Sequence, residues 1–181
     1  MKPITLDIAQ NKENNRIEMI DFYNEATEDY EFWSKDFNMH FGYFSSFKTN
    51  VLKRDTMLNE MNNQVIKRLE ITQGKKTLAD LGCGMGGTMR YALKTNKNLS
   101  AFGVTLSDFQ TSQGNALLKN YNGTILKENY NKTSFFSNTF DAATAIESFC
   151  HSGHCAKSIK EVYRILKPNG KLVIAAAFLK K

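Results

Sequence analysis

The stretch Asp80-Leu-Gly-Cys-Gly-Met-Gly-Gly87 decides the fold. It overlaps the end of a short apolar run, residues 77–81, that predicts a β-strand, and it precedes a stretch, residues 88–94, that predicts a helix. Closely spaced glycines allow the backbone to turn sharply and let a ligand approach it to contact distance. We therefore predict that Gly82 to Gly87 (the glycine loop) holds a nucleotide-type cofactor.

Strand-like and helix-like stretches alternate from the glycine loop to the end of the chain. Strands are predicted over residues 101–106, 124–126, 140–146 and 172–178, and helices around Leu117 and Leu118 and over residues 158–166. Strands that alternate with helices at this spacing favour a parallel sheet with helices on both faces. The predicted fold class is therefore α/β.

Residues 1–75 contain no strand-like run and are predicted to form an N-terminal helical cap. Helices are predicted over residues 16–33 and 51–69, the second with its apolar residues on one face. Residues 76–181 are predicted to form the core that contains the sheet. Since no repeat or proline-rich linker separates the two parts, we expect one domain.

Composition and charge exclude several classes of protein. A chain of 181 residues is the size of one domain, and 41% hydrophobic with 23% charged residues is typical of a globular protein. We find neither a transmembrane run nor a secretory signal. The net charge of +6 comes from lysines spread along the chain, which does not indicate nucleic-acid binding. Three cysteines do not suggest a disulfide framework, so we expect a cytoplasmic protein.

Two kinds of cofactor use a glycine loop of this form. Gly82, Gly84 and Gly87 match the G-x-G-x-x-G pattern of nicotinamide dinucleotide enzymes. Those enzymes usually lack a carboxylate at the position of Asp80, and they place an acidic residue near the position of Thr105. An acid at the end of the first strand instead suits an S-adenosylmethionine site, because it can accept a hydrogen bond from the methionine ammonium group.

Four segments together closely resemble class I S-adenosylmethionine-dependent methyltransferases, in particular the sterol, tocopherol, cyclopropane-fatty-acid and phosphoethanolamine enzymes. They are residues 80–87, 102–110, 140–151 and 166–174, and the cap segments 22–24 and 39–43 are similar to that subgroup as well. The resemblance implies a Rossmann-like doubly wound sheet with an N-terminal helical cap. It also implies S-adenosylmethionine as cofactor, S-adenosylhomocysteine as product, and a small-molecule or lipid-like methyl acceptor.

The resemblance further implies which residues bind the cofactor. Asp80, Gly82, Cys83 and Gly84 hold the methionine end. The other implied contacts are Tyr23, His40 and Phe41 from the cap, Thr105, Leu106 and Gln110 beside the ribose and adenine, and Asn129, Tyr130 and Ile146. Asn129 stands where the family usually places an aspartate against the adenine amino group, and its amide oxygen can accept the same bond without charge assistance.

Glu147 and His151 are the candidate catalytic residues from the core. They follow the predicted fourth strand, at the carboxyl edge of the sheet where ligands of such folds bind. Since they are four positions apart, they share one face if a helix has begun there. The resemblance adds Tyr23, which related enzymes place opposite this histidine. The alternative is a carboxylate at a helix N-terminus and a histidine that only packs.

The segment Cys150-His151-Ser-Gly-His154-Cys155 also contains four potential metal ligands. Such tight spacing does not readily place four side chains around one tetrahedral ion. We therefore predict no metal site.

The resemblance implies a sheet of seven strands, and the sequence supplies five. Either the chain has been truncated or another polypeptide supplies the rest. The apolar run Leu172 to Phe178 is typical of a strand with neighbours on both sides. We therefore predict a heterodimer in which a second polypeptide pairs with this strand; an edge-to-edge homodimer is the alternative.

Three functions stay open from the sequence, the third being a nicotinamide dinucleotide-dependent dehydrogenase. The first is an active methyltransferase whose acceptor site a partner chain completes. The second is an inactive cofactor-binding or structural subunit of a methyltransferase complex.

Overall fold

The computed structural model describes residues 34–45 and 53–177. In chain order the elements are α1 (Arg54–Leu69), β1 (Lys76–Leu81), α2 (Gly87–Thr95), β2 (Leu99–Thr105), α3 (Asp108–Leu117), β3 (Gly123–Lys127), β4 (Phe140–Ile146), a 3₁₀ turn (Phe149–His151), α4 (Cys155–Ile165) and β5 (Leu166–Ala175). The helix predicted over residues 16–33 lies outside the described residues. Among the described helices, none has the length and apolar character needed to cross a membrane.

The five strands form one parallel sheet in the order β3-β2-β1-β4-β5. This confirms the predicted α/β class with a Rossmann-like parallel sheet. The order of connection reverses between β1 and β4, and ligands of such sheets bind where this reversal leaves a crevice at the carboxyl ends. The glycine loop follows β1 and Glu147 follows β4, so the fold places both at this crevice.

Helices cover both faces of the sheet. Consecutive strand residues point to opposite faces, so each strand places apolar side chains on both of them. Leu78 of β1 packs on the side of α1 and α2, whereas Ala79 and Leu81 pack on the side of α4. The helix residues in these two clusters are Val65, Ile66, Leu69, Met89, Ala92 and Leu93 on the first face, and Val162 and Ile165 on the second. Burying each of the larger side chains contributes about 2 kcal/mol. The predicted division of the chain after residue 75 stays a prediction.

Two helix starts differ from the prediction by three residues. α1 begins at Arg54 rather than at residue 51, and it ends with Glu70 in a left-handed conformation (φ 56°). α4 begins at Cys155, three residues earlier than predicted. These shifts leave the order of elements unchanged.

The fifth strand also differs from the prediction of residues 172–178. β5 pairs with β4 first at Leu166, loses register, and pairs regularly again from Lys171 to Ala175. Pro168 in the interruption has no N–H to donate to a ladder, and Asn169 has a φ of 65°. Phe178 lies outside the described residues.

Candidate functional site

The glycine loop is fixed in place by two contacts. The N–H groups of Gly82 and Cys83 both donate to the carbonyl of Val104, at 2.9 and 3.0 Å. Gly82 has a φ of 81°, and a Cβ atom there would lie 2.5 Å from the Cβ of Ser148. Both the backbone conformation and the lack of space therefore require glycine at this position.

Residues 34–45 (the strap) pass directly over the glycine loop. At Gly87 a Cβ would lie 2.6 Å from Oδ1 of Asn38, so the strap sits where a side chain would otherwise be. The guanidinium group of Arg90 holds one end of the strap, since it donates to the carbonyl of Asp36 and also to that of Met85. The strap thus covers the glycine loop at contact distance.

A cavity of about 880 Å³ opens between the strap, the glycine loop and the carboxyl ends of the strands. Pockets for small molecules and cofactors usually measure about 300–1,000 Å³. The structure brings most of the predicted residues together in its lining: His40, Asp80, Gly82, Cys83, Gly84, Thr105, Leu106, Gln110, Asn129, Tyr130, Ile146, Glu147 and His151.

Two predicted site residues are not placed at this cavity. Phe41 is not part of the lining, and the residue is 71% exposed. Tyr23 lies outside the described residues. The roles assigned to both residues stay predictions.

Asp80 contributes a buried carboxylate to the lining of the cavity. The residue is 3% exposed, and its Oδ2 atom has no hydrogen-bond partner among the described residues. Burial raises the pKa of Asp80 to about 7. Since an unpaired buried charge is costly, a positively charged donor in the cavity is stabilised at this position. The ammonium group of S-adenosylmethionine is such a donor, so the residues present fit this cofactor.

Cys83 lies next to Asp80 but does not have the character of a nucleophile. Burial, and then the nearby charge of Asp80, raise the pKa of the Cys83 thiol. Because the thiolate is the reactive form, Cys83 stays a neutral side chain that shapes the cavity.

Other lining residues of the cavity present neutral polar groups. The hydroxyl of Thr105 donates to Oε1 of Gln110 at 2.6 Å, while Nε2 of Gln110 lies 3.7 Å from the sulfur of Met39, a weak acceptor. Oδ1 of Asn129 accepts from the N–H of Asn131 at 2.9 Å and keeps a second lone pair. These groups can hydrogen-bond the hydroxyl and amino groups of a nucleoside.

Glu147 and His151 both line the cavity, although the local geometry differs from the prediction. Glu147 has a left-handed φ of 49°, and its N–H donates to the carbonyl of Ala175 at 2.7 Å. His151 ends the short 3₁₀ turn, and α4 begins only at Cys155. The condition under which both side chains would share a helical face, a helix that has already begun at Glu147, is therefore not met. A non-glycine residue held at positive φ is strained, and such strain is often found at functional sites.

Several lining residues were not predicted. They include Phe37, Asn38, Met39, Thr88, Ser148 and His154. The strap residues have no regular spacing that marks a binding role. Met39 lies in the cap segment 39–43 that is similar to the subgroup, and for Phe37 and Asn38 the signal in the sequence is proximity to His40. Within residues 34–45 and 53–177, no three His, Cys, Asp or Glu side chains converge as metal ligands do.

Comparisons with known proteins agree with this geometry. The family model described as "Methyltransferase domain" matches residues 79–174. The chain is 32% identical over 157 residues to 24-methylenesterol C-methyltransferase 2 of Arabidopsis thaliana. The aligned region covers 84% of this chain and 41% of that protein. It spans less than half the length of the curated sterol methyltransferases that it matches.

Solved structures show the same fold. The cyclopropane synthase MmaA2 of Mycobacterium tuberculosis matches with a TM-score of 0.68 and 21% identity, over 77% of this chain and 48% of that chain. Geranyl diphosphate C-methyltransferase of Streptomyces coelicolor A3(2), in complex with S-adenosyl-L-homocysteine, matches with a TM-score of 0.62 and 22% identity, over 75% and 54%. From its glycine loop, its buried acid and these matches, the chain belongs to the class I S-adenosylmethionine-dependent methyltransferases.

Proposed function

We propose that this chain carries the cofactor half of a methyltransferase that adds a methyl group to a carbon of an apolar, alkene-containing acceptor of the sterol type. The observation that carries the proposal is that one and the same cavity is lined by the glycine loop and Asp80 and by Glu147 and His151. The similarity to a sterol C-methyltransferase supports the choice of acceptor and of carbon as the methylated atom.

Asp80 would hold the ammonium group of the cofactor, and the polar groups around Gln110 would hold its nucleoside. When bound, the cofactor supplies a methyl group on a positively charged sulfur, which an electron-rich carbon can accept by in-line displacement. The strap then excludes water from the bound cofactor, and water would otherwise compete with the acceptor.

Glu147 acts at the acceptor in this proposal. An alkene that gains a methyl group becomes positively charged at the neighbouring carbon, and loss of a proton from an adjacent carbon restores neutrality. A carboxylate facing the cavity can stabilise that positive charge and accept the proton. His151 is the second candidate for this proton transfer, and the contribution of Tyr23 from the cap stays a prediction.

The pairing of β5 with a second polypeptide is part of the proposal. Among the described residues β5 pairs with one strand, β4, and its other edge carries the backbone groups of an apolar segment. Light scattering of the purified chain gives the test: we expect an oligomer or aggregate unless a partner is supplied, and a stable monomer contradicts this part. A cytoplasmic location also stays a prediction.

Methyl transfer is tested with radiolabelled S-adenosylmethionine and the chain as purified with its native partners. 24-methylenesterol is the acceptor, and the corresponding saturated sterol is the matched control because it lacks the double bond. We expect label in the first sterol and none in the second. Label in both sterols contradicts the alkene mechanism. Cofactor binding without transfer to either sterol favours the inactive-subunit alternative.

A further inference from the structure

Asn62 is a buried amide in the middle of α1 that lies outside the predicted site. The residue is 0% exposed. Its Nδ2 lies 3.0 Å from Oδ1 of Asn38, and its Oδ1 lies 3.0 Å from Nε2 of His40 and 2.9 Å from the hydroxyl of Thr88. A buried amide with this many partners joins the elements that carry them.

The three partners of Asn62 come from two different elements, and all three line the cavity. Asn38 and His40 belong to the strap, and Thr88 belongs to the first turn of α2. The side chain of Asn62 itself does not line the cavity. Any effect of Asn62 on a bound ligand must therefore act through these neighbours.

We propose that Asn62 is a positioning residue, which orients the His40 ring at the cavity and holds the middle of the strap against the glycine loop. The proposal rests on the proposed function, because the strap is the element that encloses the cofactor. It adds a residue outside the cavity to those on which cofactor binding depends.

The ends of the strap have their own attachments, so removing Asn62 affects its middle. One end is held by the contact between Arg90 and the Asp36 carbonyl, and the other by the N–H of Tyr43, which donates to the carbonyl of Met57 at 2.9 Å. Between these two points, the contacts of Asn38 and His40 with Asn62 hold the cavity-facing part. We therefore expect the strap to stay attached, but less ordered at the cavity, when Asn62 is replaced.

The protonation of the His40 ring depends on the hydrogen bond that it shares with the Asn62 amide. Its Nδ1 lies 2.9 Å from the carbonyl of Phe41, so Nδ1 carries a proton and donates. Burial lowers the pKa of His40, against the hydrogen bonds to Phe41 and Asn62 and the negative charge of Glu147. In the neutral ring Nε2 has no proton, so it can only accept a hydrogen bond, which Asn62 must donate.

The Asn62 amide can donate that hydrogen bond when it is turned by 180°, since its oxygen and nitrogen have nearly the same shape. Nδ2 then donates to His40 and to the hydroxyl oxygen of Thr88, and the Asn38 amide turns in the same sense to donate to Oδ1. An aspartate at position 62 has no N–H. It can only accept, so it favours a doubly protonated His40.

The first experiment measures cofactor affinity by calorimetry for the chain and three variants. Asn62→Ala removes the amide, and Asn63→Ala removes a neighbouring amide that donates to Glu60 at 2.9 Å and not to the strap. Val65→Ala removes part of a side chain that is 2% exposed in the core, and so controls for loss of stability. We expect S-adenosylmethionine affinity to fall about tenfold or more for Asn62→Ala and to stay within about twofold for both controls.

The second experiment follows the His40 ring by NMR titration without cofactor, in the wild-type chain and in Asn62→Asp. We expect the pKa of His40 to lie below its usual value in the wild type and to rise above it in the variant. An unchanged His40 titration, or an Asn62→Ala affinity within about twofold of wild type, overturns the proposal. A wild-type chain that does not bind S-adenosylmethionine contradicts the proposed function instead, and the titration still decides the role of Asn62.

Discussion

Asp80→Asn is expected to stabilise the cofactor-free chain while weakening its cofactor binding. Asp80 is 3% exposed, and burial raises the pKa of its carboxyl group from 3.8 to about 7. An asparagine has nearly the same shape but stays neutral at every pH. The substitution therefore removes the cost of a buried charge, and it also removes the charge that the cofactor ammonium group would neutralise.

The size of the effect depends on pH. The raised pKa means that the folded state disfavours ionised Asp80, so this group destabilises the fold increasingly as the pH rises from 3.8 to about 7. One pKa unit corresponds to about 1.4 kcal/mol, so the full cost is about 4 kcal/mol. We expect the free energy of unfolding of Asp80→Asn to exceed that of wild type by up to about 4 kcal/mol at about pH 8. At about pH 4 and below, the two free energies should be the same.

Urea unfolding at both pH values measures this difference. Asp108→Asn is the control, because the Asp108 side chain is 82% exposed and pairs with Lys127 at the surface. Asp108→Asn should lower the free energy of unfolding by at most about 1 kcal/mol, whereas Asp80→Asn should raise it. Calorimetry should show cofactor affinity reduced at least tenfold by Asp80→Asn, as expected for a lost charge-assisted bond. An Asp80→Asn variant that is no more stable than wild type at about pH 8 would refute the reasoning.

Three further predictions concern single positions. Gly84→Val should abolish cofactor binding in a folded chain, because Gly84 has a φ of 54° and a Cβ there lies 3.0 Å from the sulfur of Met39; calorimetry that finds unchanged affinity contradicts this. Glu147→Gln and His151→Ala should each reduce methyl transfer by about a hundredfold or more while cofactor affinity stays within about twofold, and parallel loss of both properties means that the residues act on the cofactor instead. Glu161→Gln should lower the free energy of unfolding, measured in urea at neutral pH, by about 1–2 kcal/mol. Hydrogen bonds from Arg164, and then from Thr133, lower the pKa of Glu161 to about 2. Because Arg164 is partly exposed, solvent screens part of this interaction. That difference should disappear as the pH falls through about 2, because the group is then protonated in both states.

The sequence alone was sufficient for the α/β architecture, and it named most of the residues that the structure brings to one cavity. The run of glycines after Asp80 and the alternation of strands with helices are local patterns, and each reflects what one short segment must do. The parallel sheet and the cavity-lining positions of Asp80, Gln110 and Asn129 agree with what those patterns and the family resemblance implied.

The tertiary structure decided the features that depend on contacts between distant segments. Asn62 reads in the sequence as an ordinary polar residue of an amphipathic helix, and it is buried because the strap and α2 both bring polar groups to it. The left-handed turn at Glu147 has no local signal either, since glutamate has no preference for that conformation. That Oδ2 of Asp80 finds no hydrogen-bond partner in the described part of the chain likewise appears only after folding, because burial and the positions of donors are properties of the assembled cavity rather than of the loop.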